Sequence, residues 1–329
     1  MTALTTRNGT IAFFVLLVAA AISPLAVGTA TVPQWLEVAI GGLLTGVLYS
    51  LVALGLVLIF KASGVFNFAQ GAMVLFAALT LVRLMEKMPA PLAIAATLAV
   101  MVALAWVIER VVLRPLVNQE GIVLFMATLG VAYFLEGLGQ ALWGSDIYTL
   151  HVGMPKEPKI ILESVFEGGV LIDMEDFVAA IIAATLVAAL MLFFQKTSTG
   201  RALRAVADDH QAAQSVGIPL NRIWVIVWSV AGLVALVAGI VWGSKLGVQF
   251  SISQVALKAL PVVILGGFTS IPGAIVGGLL IGLGEKLSEV YLGPTLGGGI
   301  ENWFAYMLAL VFLLFRPEGL FGERIIDRV

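Results

Sequence analysis

Charged residues are placed along this chain so that nine long stretches contain none: residues 8–36, 38–60, 62–82, 88–108, 121–135, 177–195, 223–244, 259–284 and 302–315. About 20 apolar residues at a helical rise of ~1.5 Å cover the ~30 Å hydrocarbon layer of a bilayer. So many such stretches exclude a soluble core under a polar skin. With 60% of 329 residues hydrophobic, only 18 basic and 20 acidic side chains are left to make that skin. The solvent is therefore lipid, and the fold class is all-α, a polytopic membrane helical bundle. The 35 glycines suit close approach of transmembrane helices.

One stretch is broken. Gly266, Gly267, Thr269, Ser270, Pro272 and Gly273 sit in the middle of 259–284, which predicts two short segments, read equally as two spans or as a re-entrant hairpin. Counting them separately gives about ten spans and puts both termini on one side. With the N-terminus inside, eleven of the 18 basic residues fall inside, which agrees with the positive-inside rule. The first stretch, behind Arg7, is read as a retained helix rather than a signal peptide. The expectation is one transmembrane domain over 1–329, with both termini cytoplasmic. An acidic outer loop (144–176) and a mixed-charge cytoplasmic loop (195–222) interrupt the spans.

A net charge of −2 gives no basic footprint for nucleic acid. Zero cysteines exclude thiolate metal sites, and His151 and His210 have no neighbours at metal-ligand spacing. No metal or cofactor site is expected on the chain. Phosphate loops, HExxH and GxSxG motifs are absent from the sequence, so no catalysis is expected either.

Candidate residues lie in three places. In the 195–222 loop, Arg201, Arg204 and Asp208 fall at i, i+3 and i+7 of a helix-compatible run from Arg201 to Val216, which Gly217 stops. They form either a contact stripe or a solvated surface. Asn67 and Gln70 would share a helix face and either line a polar path or fasten two helices. The break at Gly266, Gly267, Ser270 and Pro272 exposes half-helix ends or serves close packing; Gly273 with Gly277 and Gly278 with Gly282 make two small-xxx-small pairs. Glu136 is an acid inside an apolar stretch and hence a functional candidate by default. Trp35, Trp143, Trp242 and Trp303 fall near span ends as interfacial anchors.

Gln211-Ala212-Ala213, three further residues and then Gly217 resemble the EAA-x3-G loop of ABC importer permeases, with Gln in place of Glu. STGRALRAVADDHQAAQSVGI (198–218), GGLLTGVLYSLVALGLVLIF (41–60), SGVFNFAQGAMVL (63–75), VILGGFTSIPGAIVGGLLIGLGE (263–285) and FRPEGLFGE (315–323) are similar to segments of branched-chain amino acid permeases of the LivH type, in the same order. Gln70 departs from that pattern, where His is common, and removes a titratable group. The resemblance implies a permease subunit of an ATP-driven importer working by alternating access. It further implies a second permease subunit, two ATP-binding subunits that carry the ATP and Mg, and a periplasmic solute-binding protein. Gly200, Arg201, Arg204, Asp208, Asp209, Ala212, Ala213 and Gly217 would then couple to the ATPase. The alternative is a stand-alone secondary transporter or channel, for which Glu136 is the coupling charge.

Overall fold

Every charge-free stretch contains helix in the computed structural model of the chain, which describes residues 3–116, 119–208 and 210–322. The helices are α1 (Ala3–Ala26), α2 (Val32–Ser63), α3 (Gln70–Met85), α4 (Ala90–Val107), α5 (Gly121–Trp143), α6 (Met174–Lys196), α7 (Ser198–Asp208), α8 (His210–Ser215), α9 (Leu220–Leu246), α10 (Val255–Gly266), α11 (Ile271–Leu296) and α12 (Phe304–Phe315). Helix α4 runs on into a π-helical turn (Ile108–Leu113) and a 3-10 turn (Arg114–Leu116), and a 3-10 turn (Phe250–Gln254) leads into α10. Within the 144–176 segment, strands β1 (Lys159–Ile161) and β2 (Val170–Ile172) pair antiparallel, with Lys159 opposite Ile172.

Among the described residues, six helices are long and apolar enough to cross a membrane: α2, α4 with its extension, α5, α6, α9 and α11. The expected count of about ten spans is not supported, because the apolar parts of α1, α3, α10 and α12 are shorter. Helix α3 shows why. It has 16 residues, and every one from Gln70 to Val82 is buried. A helix that is apolar all round can owe that character to enclosure in protein rather than to lipid. A charge-free stretch reports the dielectric around a segment, and not that the segment crosses a bilayer.

The chain forms two compact units, each assembled from separated pieces. The first comprises Met1–Ser50, Pro155–Ile181 and Lys258–Val329; the second comprises Leu51–Met154 and Ile182–Leu257. In the second unit α3 is central, enclosed by α4, α5, α9 and the 3-10 turn at Phe250–Gln254.

In the first unit a seam of small residues joins α2 to α11. A Cβ on Gly42 would lie 2.9 Å from the Gly282 carbonyl oxygen, and one on Gly46 would lie 2.6 Å from that of Gly278. The register 42 with 282 and 46 with 278 makes the two helices antiparallel. The Ser50 hydroxyl closes the seam by donating to the Gly46 carbonyl (2.8 Å) and to the Ile275 carbonyl (3.2 Å). On another face of α11, an apolar cavity of about 410 Å³ is lined by Phe13, Leu17, Leu283, Leu287, Phe304 and Leu308 among others.

Candidate functional site

The α6 to α8 segment is built as a fixed platform. The Thr197 hydroxyl caps α7 by accepting from the Gly200 amide at 3.1 Å. Gly200 packs on the Phe194 backbone with no space for a Cβ. Arg204 donates to the Phe194 carbonyl at 2.6 Å, which satisfies an orphan carbonyl at the end of α6. Leu203 and Val206 are buried beside Gly200 on the inner face of α7.

The three residues expected to form one stripe are therefore divided. Arg201 and Asp208 are exposed, while Arg204 is half-buried and engaged with α6. Ala212 is exposed and Ala213 is buried. Asp209 lies outside the described residues. Gly217, at φ +85°, ends α8 with the Ile218 amide bonded to the Ala213 carbonyl at 3.0 Å, a Schellman-type closure that needs the left-handed conformation.

The predicted break is a tight reversal between α10 and α11. Gly267 adopts φ +101°, Ser270 caps α11 by accepting from the Gly273 amide at 3.0 Å, and Pro272 sits in the first turn. Gly266 and Gly273 lie backbone to backbone, and a Cβ on Gly277 would come 2.7 Å from the Val262 carbonyl oxygen. The two small-xxx-small pairs thus serve different faces of α11: Gly273 and Gly277 meet α10, whereas Gly278 and Gly282 meet α2. The carboxy-terminal segment covers the reversal. Leu320 donates to the Leu265 carbonyl (2.8 Å) and Phe321 to the Gly266 carbonyl (3.1 Å). Gly319 rests on Gly267, at 2.8 Å from a notional Cβ to its Cα. Two segments recognised separately in the sequence, 263–285 and 315–323, therefore form one structure, as far as Gly322.

Asn67 does not share a helix face with Gln70. Its Oδ1 accepts from the Ala69 amide at 3.0 Å, and this side-chain turn holds residue 67 outside the helix that Gln70 begins. The two amides still meet, with Asn67 Nδ2 donating to Gln70 Oε1 at 3.3 Å. Gln70 Nε2 donates in turn to the Ala231 carbonyl of α9 at 3.4 Å. Trp224 Nε1 donates to the Ala62 carbonyl at 3.1 Å, and the Thr128 hydroxyl to that of Phe66 at 3.2 Å. The link between α2 and α3 is thus tied to both α5 and α9.

Glu136 is half-buried on α5 and takes no part in the buried polar groups among the described residues. The buried acids are others. Glu109, in the π-helical turn, is fully buried and receives Arg114 in a two-pronged pair, Nε to Oε1 at 3.1 Å and Nη2 to Oε2 at 2.9 Å. Glu285, near the middle of α11, accepts at Oε1 from the Tyr49 hydroxyl and from Lys258 Nζ, both at 3.0 Å. The acid singled out inside an apolar stretch of the sequence is thus not one of the buried ones. Scanning for charge-free gaps treats Glu109, Lys258 and Glu285 as the ends of spans, although each lies within a helix. Helical spacing carried one signal for Glu285, since residues 278, 282 and 285 share a face.

Residues 38–316 match the family model described as branched-chain amino acid transport system / permease component. The chain is 30% identical over 311 residues to the high-affinity branched-chain amino acid transport system permease protein BraD of Pseudomonas aeruginosa, covering 90% of this chain and 98% of that one. It is 28% identical to LivH of Escherichia coli over the same shares, 90% and 98%. It is 29% identical to a probable branched-chain amino acid transport permease protein LivH of Methanocaldococcus jannaschii, over 86% of this chain and 91% of that one.

Proposed function

The chain belongs to the family of permease components of branched-chain amino acid transport systems, and from that premise we propose that it forms the membrane pathway of an ATP-driven importer for leucine, isoleucine, valine or a closely related solute. It works as one transmembrane domain of the bacterial inner membrane with both termini cytoplasmic. It pairs with a second permease subunit, receives its solute from a periplasmic binding protein, and couples to two ATP-binding subunits that hold the ATP and Mg and carry out hydrolysis.

The observation that supports the coupling role is the platform at the end of α6. A push on a loop is absorbed locally unless the loop is anchored, and α7 is anchored by Gly200 and Arg204 on Phe194. Its exposed Arg201 and Asp208 are what a motor would meet, together with Ala212 and the turn at Gly217. Closure of the motor would tilt α6 and α9 through this platform and exchange inward and outward openings. Asn67 and Gln70 then hold the α2–α3 link to α9, so that the link moves with it. The broken segment at Gly266, Gly267, Ser270 and Pro272 is a second fixed joint.

Two measurements test this reading. In proteoliposomes, uptake should need the ATPase subunits; uptake by the permease alone would sink the proposal. Arg201→Glu should leave the melting temperature of the purified permease unchanged while lowering ATP-driven uptake by about tenfold, on the scale of one lost interfacial charge contact. Unchanged uptake would remove Arg201 from the coupling surface.

A further inference from the structure

Charge is expensive inside a membrane, and ionisable side chains there face the protein interior and pair with one another. Lys258 and Glu285 are such a pair. Glu285 lies inside α11, one of the helices long and apolar enough to cross a membrane, about 21 Å by helical rise from its start, and Lys258 reaches it from α10. The Glu285 side chain is 4% exposed and that of Lys258 is 32% exposed. The carboxylate is unevenly bonded. Tyr49 and Lys258 both donate to Oε1, while Oε2 is buried and has no hydrogen-bond partner among the described residues. An ionised carboxylate offers about four lone-pair sites, and a buried acceptor left unbonded costs free energy. The ammonium has three protons; one goes to Oε1, and its partial exposure leaves it reachable by a small molecule.

We propose that Lys258 and Glu285 form the site at which a zwitterionic solute is held during passage, its ammonium on Glu285 Oε2 and its carboxylate on Lys258 Nζ. This rests on the reading above that the cargo is an amino acid. A zwitterion presents the same two charges as the pair, with opposite sign, so its insertion replaces one ion pair with two, and the assembly stays neutral. Tyr49 keeps the carboxylate fixed on α11 while Lys258 shifts towards the solute. A solute with a single net charge would leave one charge unpaired in the low-dielectric interior, which is strongly unfavourable. The site therefore passes zwitterions and rejects cations and anions of the same shape, a selection made after the binding protein has already made its own.

The test uses the full complex in proteoliposomes, with radiolabelled leucine as the probe. Lys258→Met together with Glu285→Gln removes both charges and keeps side-chain volume and the Tyr49 hydrogen bond. If the pair holds the solute, uptake falls by about thirtyfold or more, as when charged partners of a bound group are truncated, while the loaded binding protein still stimulates ATP hydrolysis. Uptake within about twofold of the parent, the scale of a polar contact that merely ties two helices, overturns the inference. Should the double variant fail to assemble, the parent decides the matter. Acylation of Lys258, read by mass spectrometry against Lys61, should be slower with leucine-loaded than with empty binding protein; equal labelling overturns the inference. No ATP-driven leucine uptake by the parent would overturn the cargo reading itself, and this proposal with it.

Discussion

The fully buried amides at Asn67–Gln70 and the partly exposed ion pair at Lys258–Glu285 solve the problem of polarity in an apolar interior in opposite ways. The first is neutral and local. Asn67 turns back on Ala69 and reaches Gln70 three residues on, and a bond from Gln70 to the Ala231 carbonyl adds the tie to α9. The second is charged and drawn from distant parts of the sequence, with Tyr49 on α2, Lys258 on α10 and Glu285 on α11, and it leaves one carboxylate oxygen without a partner. Neutral amides with local partners make a clamp that can be closed completely. A buried ion pair costs far more to desolvate, and one left partly bonded suits a group that exchanges partners.

That contrast can be broken in three ways, in order of falling effect. The charged group depends on the α2–α11 seam that carries Tyr49 and Glu285. In Gly278→Leu the Cβ alone would lie 2.7 Å from the Gly46 carbonyl oxygen. The helices must part, at about 3 kcal/mol or more, and size-exclusion chromatography should show loss of the monodisperse permease. Normal yield and melting would mean that the seam is not tight. Gln70→Leu should be milder, because it removes the bonds to Asn67 and Ala231 and leaves the Asn67 amide only the weak Met73 Sδ acceptor, a loss of about 1–3 kcal/mol. Its signature is a lower melting temperature with the solute preference unchanged. A changed preference would instead place the amides on the pathway beside the ion pair. Smallest is Ser270→Ala, which removes the α11 cap at about 1 kcal/mol. A few degrees of melting temperature should be lost, with transport retained; loss of transport at unchanged stability would make the reversal a moving part.

The helical segments were legible because apolar length is a one-dimensional property. So was the reversal, because Gly267 permits a left-handed turn and Pro272 fixes its own φ, both local effects. The stop at Gly217 follows from the same chemistry, since glycine takes the left-handed conformation at little cost. What failed was the step from apolar to membrane-crossing. Helix α3 is enclosed on all sides, and lipid and protein interiors favour the same side chains. The place of Arg204 on α7 was hidden for a related reason. Spacing placed Arg204 with Arg201 and Asp208, but the carbonyl it caps belongs to Phe194, on the preceding helix.

By itself the sequence determined that this chain lives in a bilayer as apolar helices, that one helix pair reverses sharply, and, through motifs spread along it, the family to which it belongs. These follow from composition and local backbone chemistry, which act within a few residues of one another. Only the tertiary structure decided which charges are buried. Lys258 and Glu285 stand 27 residues apart and Tyr49 is 236 residues from Glu285. No local rule links positions so far apart, and it is the close approach of backbones at Gly42, Gly46, Gly278 and Gly282 that brings Tyr49 to Glu285.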